Sequence, residues 1–349
     1  MSVNETKPAG GEQLLEVRDL RVEWKRPDGE RINLVRDATY TIGAGEVTCV
    51  VGESGSGKSV TSLAVLGLIQ QQSDIEVTGQ VLLGDTSLLS LPESDYRGLR
   101  GRDIAMVFQE PMSSLDPVFT VESQLREAIR RREKLPRAQE RDRMRELLTT
   151  VGINDPARIL RQYPHEMSGG MCQRVMIAVA LAARPRLLIA DEPTTAIDAT
   201  LQVQVIALLD HLRRSTGMSV LLVTHDMGVA AEVADRVVIM YAGRVVEQGR
   251  PAQIFRAPAH PYTAGLLASI PRIDGPRRRL LPSVSGSVPD PARLPTGCAF
   301  HPRCRLVQQR CREEDPPLLT TDDDRTAAAC WRSDEIRKGD VAAWPAIPE

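Results

Sequence analysis

The 349-residue sequence contains no long hydrophobic run. A bilayer-spanning helix requires about 18 or more consecutive apolar residues, so a role at a membrane would have to come through a partner protein. The segment from Met1 to Gly11 is polar and has no apolar core of the kind found in secretory signals. We therefore expect a cytosolic protein.

A strong excess of basic residues is also missing, because the formal net charge is only -2. A dedicated nucleic-acid-binding protein normally presents a basic surface, so we expect no nucleic-acid partner. With 42% hydrophobic and 26% charged residues, the composition is typical of a globular protein. The length suits one large domain with an appendage, or two domains.

Cysteines are few, and their positions separate them into two groups. In a reducing cytosol, six cysteines are not expected to form structural disulfides, and Cys49 and Cys172 are predicted to be small side chains that are buried or half-buried. The other four lie close together in the C-terminal part: Cys298, Cys304, Cys311 and Cys330. Four thiolates suit an iron–sulfur cluster or zinc. The absence of C-x2-C pairs favours iron–sulfur, and His301 is either an alternative ligand or a structural histidine.

The strongest motif is the stretch Gly52-Glu-Ser-Gly-Ser-Gly-Lys58-Ser59. It follows the apolar run 47–51 and precedes a predicted helix, which is the context of a phosphate-binding loop. Glycines let backbone N–H groups converge on phosphate oxygens, and the helix N-terminus adds positive charge. Lys58 is predicted to reach the β/γ-phosphates and Ser59 to hold Mg²⁺. The predicted nucleotide contacts in this loop are Gly52, Ser54, Gly55, Gly57, Lys58 and Ser59.

The chain before this loop is predicted to form antiparallel strands. Residues 14–24 alternate apolar and polar side chains, and a Pro-Asp-Gly turn separates them from a second strand through Ile32 and Val35. Trp24 stands near the end of the first strand. It is interpreted either as a ring that stacks on adenine or as a core aromatic residue.

Four polar side chains are predicted to lie at the ends of strands. They are Gln109 after 104–108, Asp191 and Glu192 at the end of 187–192, and His225 after 219–224. Open α/β sheets carry their chemistry at the carboxyl ends of the strands. Asp191 is a candidate Mg²⁺ ligand through water, Glu192 can polarise an attacking water, and His225 can donate to a γ-phosphate. Gln109 can reach a metal or a water.

A second anion-binding element is predicted at Ser168-Gly169-Gly170, which opens an apolar helix. A capping hydroxyl, free N–H groups and a helix N-terminus together favour an anion. The alternative is a simple capped helix start. The surrounding residues, from about 121 to 183, are predicted to be helical, with charged stretches on solvated faces.

In their order along the chain, these motifs resemble the ATP-binding cassette ATPases over about residues 14–265. The resemblance implies an α/β P-loop NTPase with a RecA-like core, an antiparallel β subdomain and a helical signature subdomain. It implies that two cassettes face head to tail, with ATP between one phosphate loop and the partner's Ser168-Gly169-Gly170. Glu192 would be the general base, His225 the γ-phosphate contact, and Asp198 a contact across the dimer.

Three positions depart from the usual pattern of that family. Met171 stands where glutamine is commoner, Cys172 where arginine or lysine is expected, and Ile197 where leucine is usual. Met171 cannot supply a side-chain amide. Because the serine and both glycines are intact, we still expect a working site.

A narrower resemblance is carried by residues 112–117, 164–171 and 247–263. These segments look like the ATPase subunits of bacterial oligopeptide, dipeptide and nickel importers. The resemblance implies ATP and Mg²⁺ as cofactors, and a peripheral location at the cytoplasmic face of the inner membrane. It implies as partners a paralogous ATPase subunit, two membrane permease subunits and an extracytoplasmic substrate-binding protein. The segment 297–304 is similar to a tail that carries a [4Fe–4S] cluster in some members.

The predicted organisation is a nucleotide-binding domain at 14–250, with its helical subdomain at about 110–185, a linker at 251–296 and a small Cys-rich extension at 297–349. The predicted function is ATP hydrolysis that drives import of dipeptides or oligopeptides. The alternatives are a nickel importer ATPase of the same family, and a non-transport cassette ATPase, including one with iron–sulfur-based redox regulation. Cassette ATPases that act on DNA or ribosomes normally have a long coiled-coil insertion or two cassettes, and the sequence has only one phosphate loop.

Overall fold

The computed structural model describes residues 12–194, 199–270, 283–320 and 326–342. Its strands are β1 Gln13–Lys25, β2 Arg31–Gly43, β3 Val47–Val51, β4 Ile75–Leu83, β5 Thr86–Ser87, β6 Ile104–Val107, β7 Leu187–Asp191, β8 Ser219–Thr224, β9 Arg236–Tyr241, β10 Arg244–Gly249, β11 Leu319–Thr320 and β12 Thr326–Ala328.

The α-helices are α1 Lys58–Val65, α2 Glu93–Leu99, α3 Pro111–Ser114, α4 Val121–Arg130, α5 Arg137–Thr150, α6 Pro156–Ile159, α7 Gly169–Leu181, α8 Ala199–Thr216, α9 Met227–Val233, α10 Pro251–Arg256, α11 Pro261–Ala268, α12 Gln309–Glu313 and α13 Ser333–Lys338. Short 3₁₀ turns occur at Ile69–Gln71, Pro164–Glu166, Pro291–Arg293 and His301–Arg303.

The first sheet is antiparallel and has the strand order β2-β1-β4-β5. Along β1, Leu15, Val17 and Val22 are fully buried while intervening polar residues face outward, because successive side chains of a strand point to opposite faces. The predicted antiparallel start of the chain is confirmed.

The second sheet carries the strand ends with the polar side chains and has the order β11-β12-β10-β9-β3-β8-β7-β6. Five neighbouring strands of this sheet are parallel to one another: β9, β3, β8, β7 and β6. Strands β3, β7 and β8 are buried along their whole length, as expected for a parallel sheet covered on both faces. Their side chains divide between two hydrophobic clusters: Cys49 and Leu188 belong to one, and Val50 and Ile189 to the other.

Helices α4 to α7 form the predicted helical region. The amphipathic helix α4 buries Val121, Leu125 and Ile129, which follow the spacing of one helix face. One charged side chain departs from the prediction of solvated faces. Glu140 is only 1% exposed and accepts a hydrogen bond of 2.6 Å from Arg130, so its charge is compensated by an ion pair.

The C-terminal residues join the main sheet instead of standing apart from it. Strand β12 pairs antiparallel with β10, where Glu247 lies opposite Ala328, and β11 pairs with β12. The range predicted as a linker, 251–296, contains the helices α10 and α11, and Ile254 and Tyr262 on them are fully buried. Across the described ranges, no helix is both long and apolar enough to cross a bilayer.

Candidate active site

The predicted phosphate loop lies between β3 and α1 and is shaped by its glycines. A Cβ atom at Gly52 would lie 2.3 Å from the Met240 carbonyl oxygen, so no larger residue fits there. Gly57 adopts a φ of 95°, a left-handed conformation that glycine alone adopts without strain. Lys58 begins α1, and its ammonium donates to the carbonyl oxygens of Gly52 and Glu53 at 2.8 and 3.0 Å. Its aliphatic stem and head are largely enclosed, and burial lowers its pKa.

A cleft opens above this loop and gathers polar side chains from other strand ends. Its lining comprises Gly52, Glu53, Ser54, Gly55, Ser56, Gly57, Lys58, Ser59, Val60, Gln109, Glu192, His225 and Leu266. Gln109, Glu192 and His225, which follow three different strands, therefore lie in one cleft with the phosphate loop.

Glu192 lies at the centre of the polar cluster. Its carboxylate accepts a hydrogen bond of 3.3 Å from the Gln109 side-chain amide, lies 3.3 Å from His225 Nδ1 and 3.7 Å from Lys58 Nζ. Its backbone has a φ of 44°, which is strained for a residue with a side chain. The backbone N–H donates to the Val223 carbonyl at 2.9 Å, which holds the carboxylate at the end of β7.

The neighbouring carboxylate, Asp191, is paired with the phosphate loop. Ser59 Oγ donates to Asp191 Oδ1 at 3.0 Å, and burial raises the Asp191 pKa. Mg²⁺ prefers oxygen ligands and is commonly held by one or two protein groups together with phosphates and water. The Ser59 hydroxyl, the Asp191 carboxylate and the amide oxygen of Gln109 fit that preference, so these residues would hold Mg²⁺. A bound Mg²⁺ would neutralise charge on the β- and γ-phosphates.

This arrangement suits the transfer of a phosphoryl group to water. Glu192 can accept a proton from a water molecule in the cleft, because it lines the cleft and lies 3.3 Å from both the Gln109 amide and His225 Nδ1. Lys58 and the loop N–H groups can bind the phosphates that carry the charge. The imidazole of His225, whose side chain is 64% exposed, lines the same cleft and can donate to a terminal phosphate.

The other predicted nucleotide contacts lie elsewhere. Ser168 and Gly169 are exposed at the N-terminus of α7, and neither they nor Gly170 line the cleft. Trp24 is outside the cleft lining as well; its indole N–H donates to Asp74 at 2.8 Å. Asp198 falls outside the described residues.

The four C-terminal cysteines lie around one small cavity, together with His301 and Phe300. Cys298 has a pKa raised to about 11 by burial, and burial also raises the pKa of Cys330 to about 12. His301 Nδ1 lies 3.1 Å from the Cys298 carbonyl oxygen. Within the described ranges, no group of three or more His, Cys, Asp or Glu side chains is arranged so that it could hold a metal ion. The structure therefore shows four neighbouring thiols but not a metal site.

Sequence reasoning missed the residues that hold Glu53 of the phosphate loop. The Glu53 backbone N–H donates to the Tyr262 hydroxyl at 2.9 Å, and Arg303 donates to both Glu53 carboxylate oxygens at 3.2 Å. Tyr262 lies in the segment 247–263 that carried the narrower resemblance, but nothing in the pattern indicated a partner. Contacts between residues 200 or more positions apart leave no local signal in one sequence.

The fold and the cleft together define an ATP-binding cassette ATPase. The family model described as "ABC transporter" matches residues 35–195, and the one described as "Oligopeptide/dipeptide transporter, C-terminal region" matches residues 246–311. Among solved structures, the chain resembles the dimeric post-hydrolysis state of the ATP-binding cassette MJ0796 bound to ADP and Pi. That match has a TM-score of 0.60 and 26% identity, and covers 68% of this chain and 99% of that one.

Curated relatives give the narrower assignment. The chain is 47% identical to the oligopeptide transport ATP-binding protein AppD of Bacillus subtilis, over 90% of this chain and 95% of that protein. It is 43% identical to the dipeptide transport ATP-binding protein DppD of the same organism, over 93% and 96% of the two chains. The chain belongs to the oligopeptide/dipeptide family of ABC transporter ATP-binding subunits.

Proposed function

We propose that the protein hydrolyses ATP to drive the import of dipeptides or oligopeptides through separate membrane permease subunits. The observation that carries this is the cleft, where the phosphate loop, Gln109, Glu192 and His225 meet, in a chain whose relatives are named for peptide transport. Those names favour peptide over nickel and over a non-transport ATPase. As a subunit of such a transporter, the protein would lie at the cytoplasmic face of the inner membrane.

Each site residue then receives a role. Glu192 is the general base, His225 contacts the γ-phosphate, and Gln109 links the metal and the attacking water. Ser59 and Asp191 hold Mg²⁺, supported by their hydrogen bond of 3.0 Å. For Trp24 we propose stacking on adenine, and for Asp198 a contact with a second cassette. The family resemblance supports the role of Asp198, and the position of Trp24 near the end of β1 supports the stacking.

A complete site needs a second cassette. Ser168 and Gly169 are exposed at a helix N-terminus, which suits an anion supplied by another subunit. The cassette MJ0796 is described as a dimer with ADP and Pi. We propose that the second cassette here is a paralogue, and that an extracytoplasmic binding protein delivers the substrate. Intact mass measurement of the purified transporter would show whether its two ATPase chains are identical or different. Two identical chains would contradict the proposal that the second cassette is a paralogue.

Transport tests the proposed function directly. The complex is purified with its permease subunits and reconstituted into liposomes with ATP on the cassette side. We expect accumulation of a labelled tripeptide or dipeptide that requires ATP and the substrate-binding protein, and no uptake of ⁶³Ni²⁺. The matched control is the complex with Glu192→Gln, which should bind ATP without transport. Nickel uptake without peptide uptake would favour the alternative importer.

For the C-terminal thiols we propose a [4Fe–4S] cluster, with Cys298, Cys304, Cys311 and Cys330 as ligands. Backbone N–H groups donate to two of the sulfurs: Leu306 to Cys304 and Arg332 to Cys330, both at 3.4 Å. Such hydrogen bonds are typical of cluster-bound thiolates. The absence of C-x2-C pairs, which are typical of structural zinc sites, favours the cluster over Zn²⁺. A cluster would also stabilise so short an extension.

Metal analysis after anaerobic purification tests this proposal. We expect about four irons and four sulfides per chain with broad visible absorption, as for a cluster with four cysteine ligands, and loss of the colour in Cys298→Ser. The matched control is Cys172→Ser, which removes a buried thiol of the helical region and should keep the iron. One zinc per chain and no visible absorption would indicate a structural zinc site instead of the cluster. No metal would contradict both.

A further inference from the structure

The phosphate loop and the C-terminal extension are joined at Glu53. All three polar groups of this residue are engaged: its N–H donates to Tyr262, its carbonyl accepts from Lys58, and its carboxylate accepts from Arg303. The same loop residue thus contacts the phosphate-binding lysine and a side chain 250 positions away. A change in the position of Glu53 would therefore move the acceptor of Lys58.

Arg303 is held rigidly enough to act as an anchor. Its side chain is only 6% exposed, and its guanidinium donates to the carbonyl oxygens of Ser285 at 2.8 Å and Val284 at 3.1 Å. The guanidinium also lies 5.6 Å from the Tyr241 ring centroid. A buried guanidinium with fixed acceptors has one geometry, so the carboxylate of Glu53 is bound to a fixed point of the extension.

The anchor is also adjacent to the four thiols. Arg303 precedes Cys304 in the chain, and Phe300, which lines the thiol cavity, packs on Tyr241 and Tyr262 with ring centroids 5.3 and 5.5 Å apart. Tyr262 is the acceptor of the Glu53 N–H. Two contact routes therefore lead from the thiol cavity to the same loop residue, one through Arg303 and one through the aromatic rings.

We propose that Arg303 is a positioning residue for the phosphate loop: by fixing Glu53 it sets the affinity of the cleft for nucleotide and couples that affinity to the four-thiol extension. Arg303 does not touch nucleotide, because it does not line the cleft. Its effect passes through Glu53 and Lys58. The positioning role depends only on ATP binding, whereas the coupling to the thiols rests on the proposed function of the extension.

The test is ADP affinity, measured by titration calorimetry on the full chain with Mg²⁺. We expect Arg303→Ala to weaken ADP binding about five- to tenfold, at the low end of coupling between distinct sites. Arg303→Lys should recover part of the loss. Glu53→Gln should weaken binding to the same degree, and the double variant no further, because both changes remove one interaction. The matched control is Arg312→Ala, an exposed arginine of α12, with unchanged affinity.

Two results would overturn the positioning role: ADP affinity within twofold of the parent chain in Arg303→Ala, or losses in the two single variants that multiply in the double variant. If Arg303→Ala fails to fold, the Glu53→Gln variant becomes the test, because it leaves the contacts of Arg303 with backbone carbonyls in place. Unchanged ADP affinity in Glu53→Gln would then overturn the proposal.

The coupling to the thiols has its own comparison. We expect Cys304→Ser to weaken ADP binding in the parent chain and to have a smaller effect in the Arg303→Ala background, where only the aromatic route remains. An equal loss in both backgrounds would exclude Arg303 as the route. Metal content is measured on the same samples, so failure of the cluster proposal is recognised separately from failure of the coupling.

Discussion

Glu192→Gln is expected to lower steady-state ATP hydrolysis at least 100-fold while ATP still binds. A positioned general base contributes about 10²- to 10⁴-fold, and glutamine has the shape of glutamate without its basicity. The amide oxygen can still accept from Gln109, whose amide lies 3.3 Å from the native carboxylate. The backbone strain at this position, with φ of 44°, is unchanged by the substitution.

Phosphate release and ATP titration, measured on the same preparation of the transporter, check this prediction. The control is Glu232→Gln, an exposed glutamate on α9, which should keep normal turnover. If Glu192→Gln retained more than about a tenth of the parent rate, below the smallest effect expected of a general base, Glu192 would lose its role. If the variant lost both ATP binding and turnover, Glu192 would instead mainly shape the phosphate loop through Lys58, which lies 3.7 Å away.

Glu247→Gln is expected to lower the free energy of unfolding by about 1–3 kcal/mol, the cost of leaving a buried donor unsatisfied. Glu247 is fully buried on β10 and accepts from the backbone N–H groups of Ala259 and His260 at 2.6 and 3.1 Å. One carboxylate therefore fixes the start of α11 relative to the sheet. A glutamine side chain has only one oxygen, so its amide would face one of those donors. Urea unfolding followed by circular dichroism measures the loss, with Glu232→Gln as the unaffected control.

The buried carboxyl group of Glu247 should also make the stability of the protein depend on pH. Burial raises the Glu247 pKa to about 7 from 4.5, so between those values the folded chain holds a proton that the unfolded chain has released. The contribution of Glu247 to the free energy of unfolding is therefore highest below about pH 4.5 and falls as the pH rises to about 7. Above about pH 7 this contribution is constant. Glu247→Gln should remove that part of the pH dependence. An identical pH profile in the variant would contradict the assignment.

Much of the cassette could be predicted from the sequence because its signals are local. The phosphate loop needs glycine where the backbone approaches Met240 closely, and buried parallel strands appear as apolar runs such as 187–190 and 220–223. Polar residues directly after those runs are placed at one sheet edge by the topology itself. The order of residues along the chain therefore predicts that Gln109, Glu192 and His225 lie at the ends of strands.

The parts that were missed depend on contacts between distant segments. Strand β12 is three residues long and gains its conformation from pairing with β10, so it has no periodicity to detect. Glu140 belongs to a charged stretch, and its burial is explained by the positions of Arg126 and Arg130 on the neighbouring helix. Arg303 is one of many arginines in the sequence. Its importance arises from carbonyl groups and a carboxylate brought together by the fold.

The pairing of β12 with β10 also has a consequence for association between molecules. Without the extension, β10 would be the last strand of the sheet, with a row of unpaired N–H and C=O groups that another chain could extend. As built, the sheet ends in β11, which has two residues, too few to template a further strand. We therefore expect the C-terminal extension to limit edge-to-edge association at this end of the sheet, and a chain truncated before residue 319, which also lacks Cys330, to self-associate more readily.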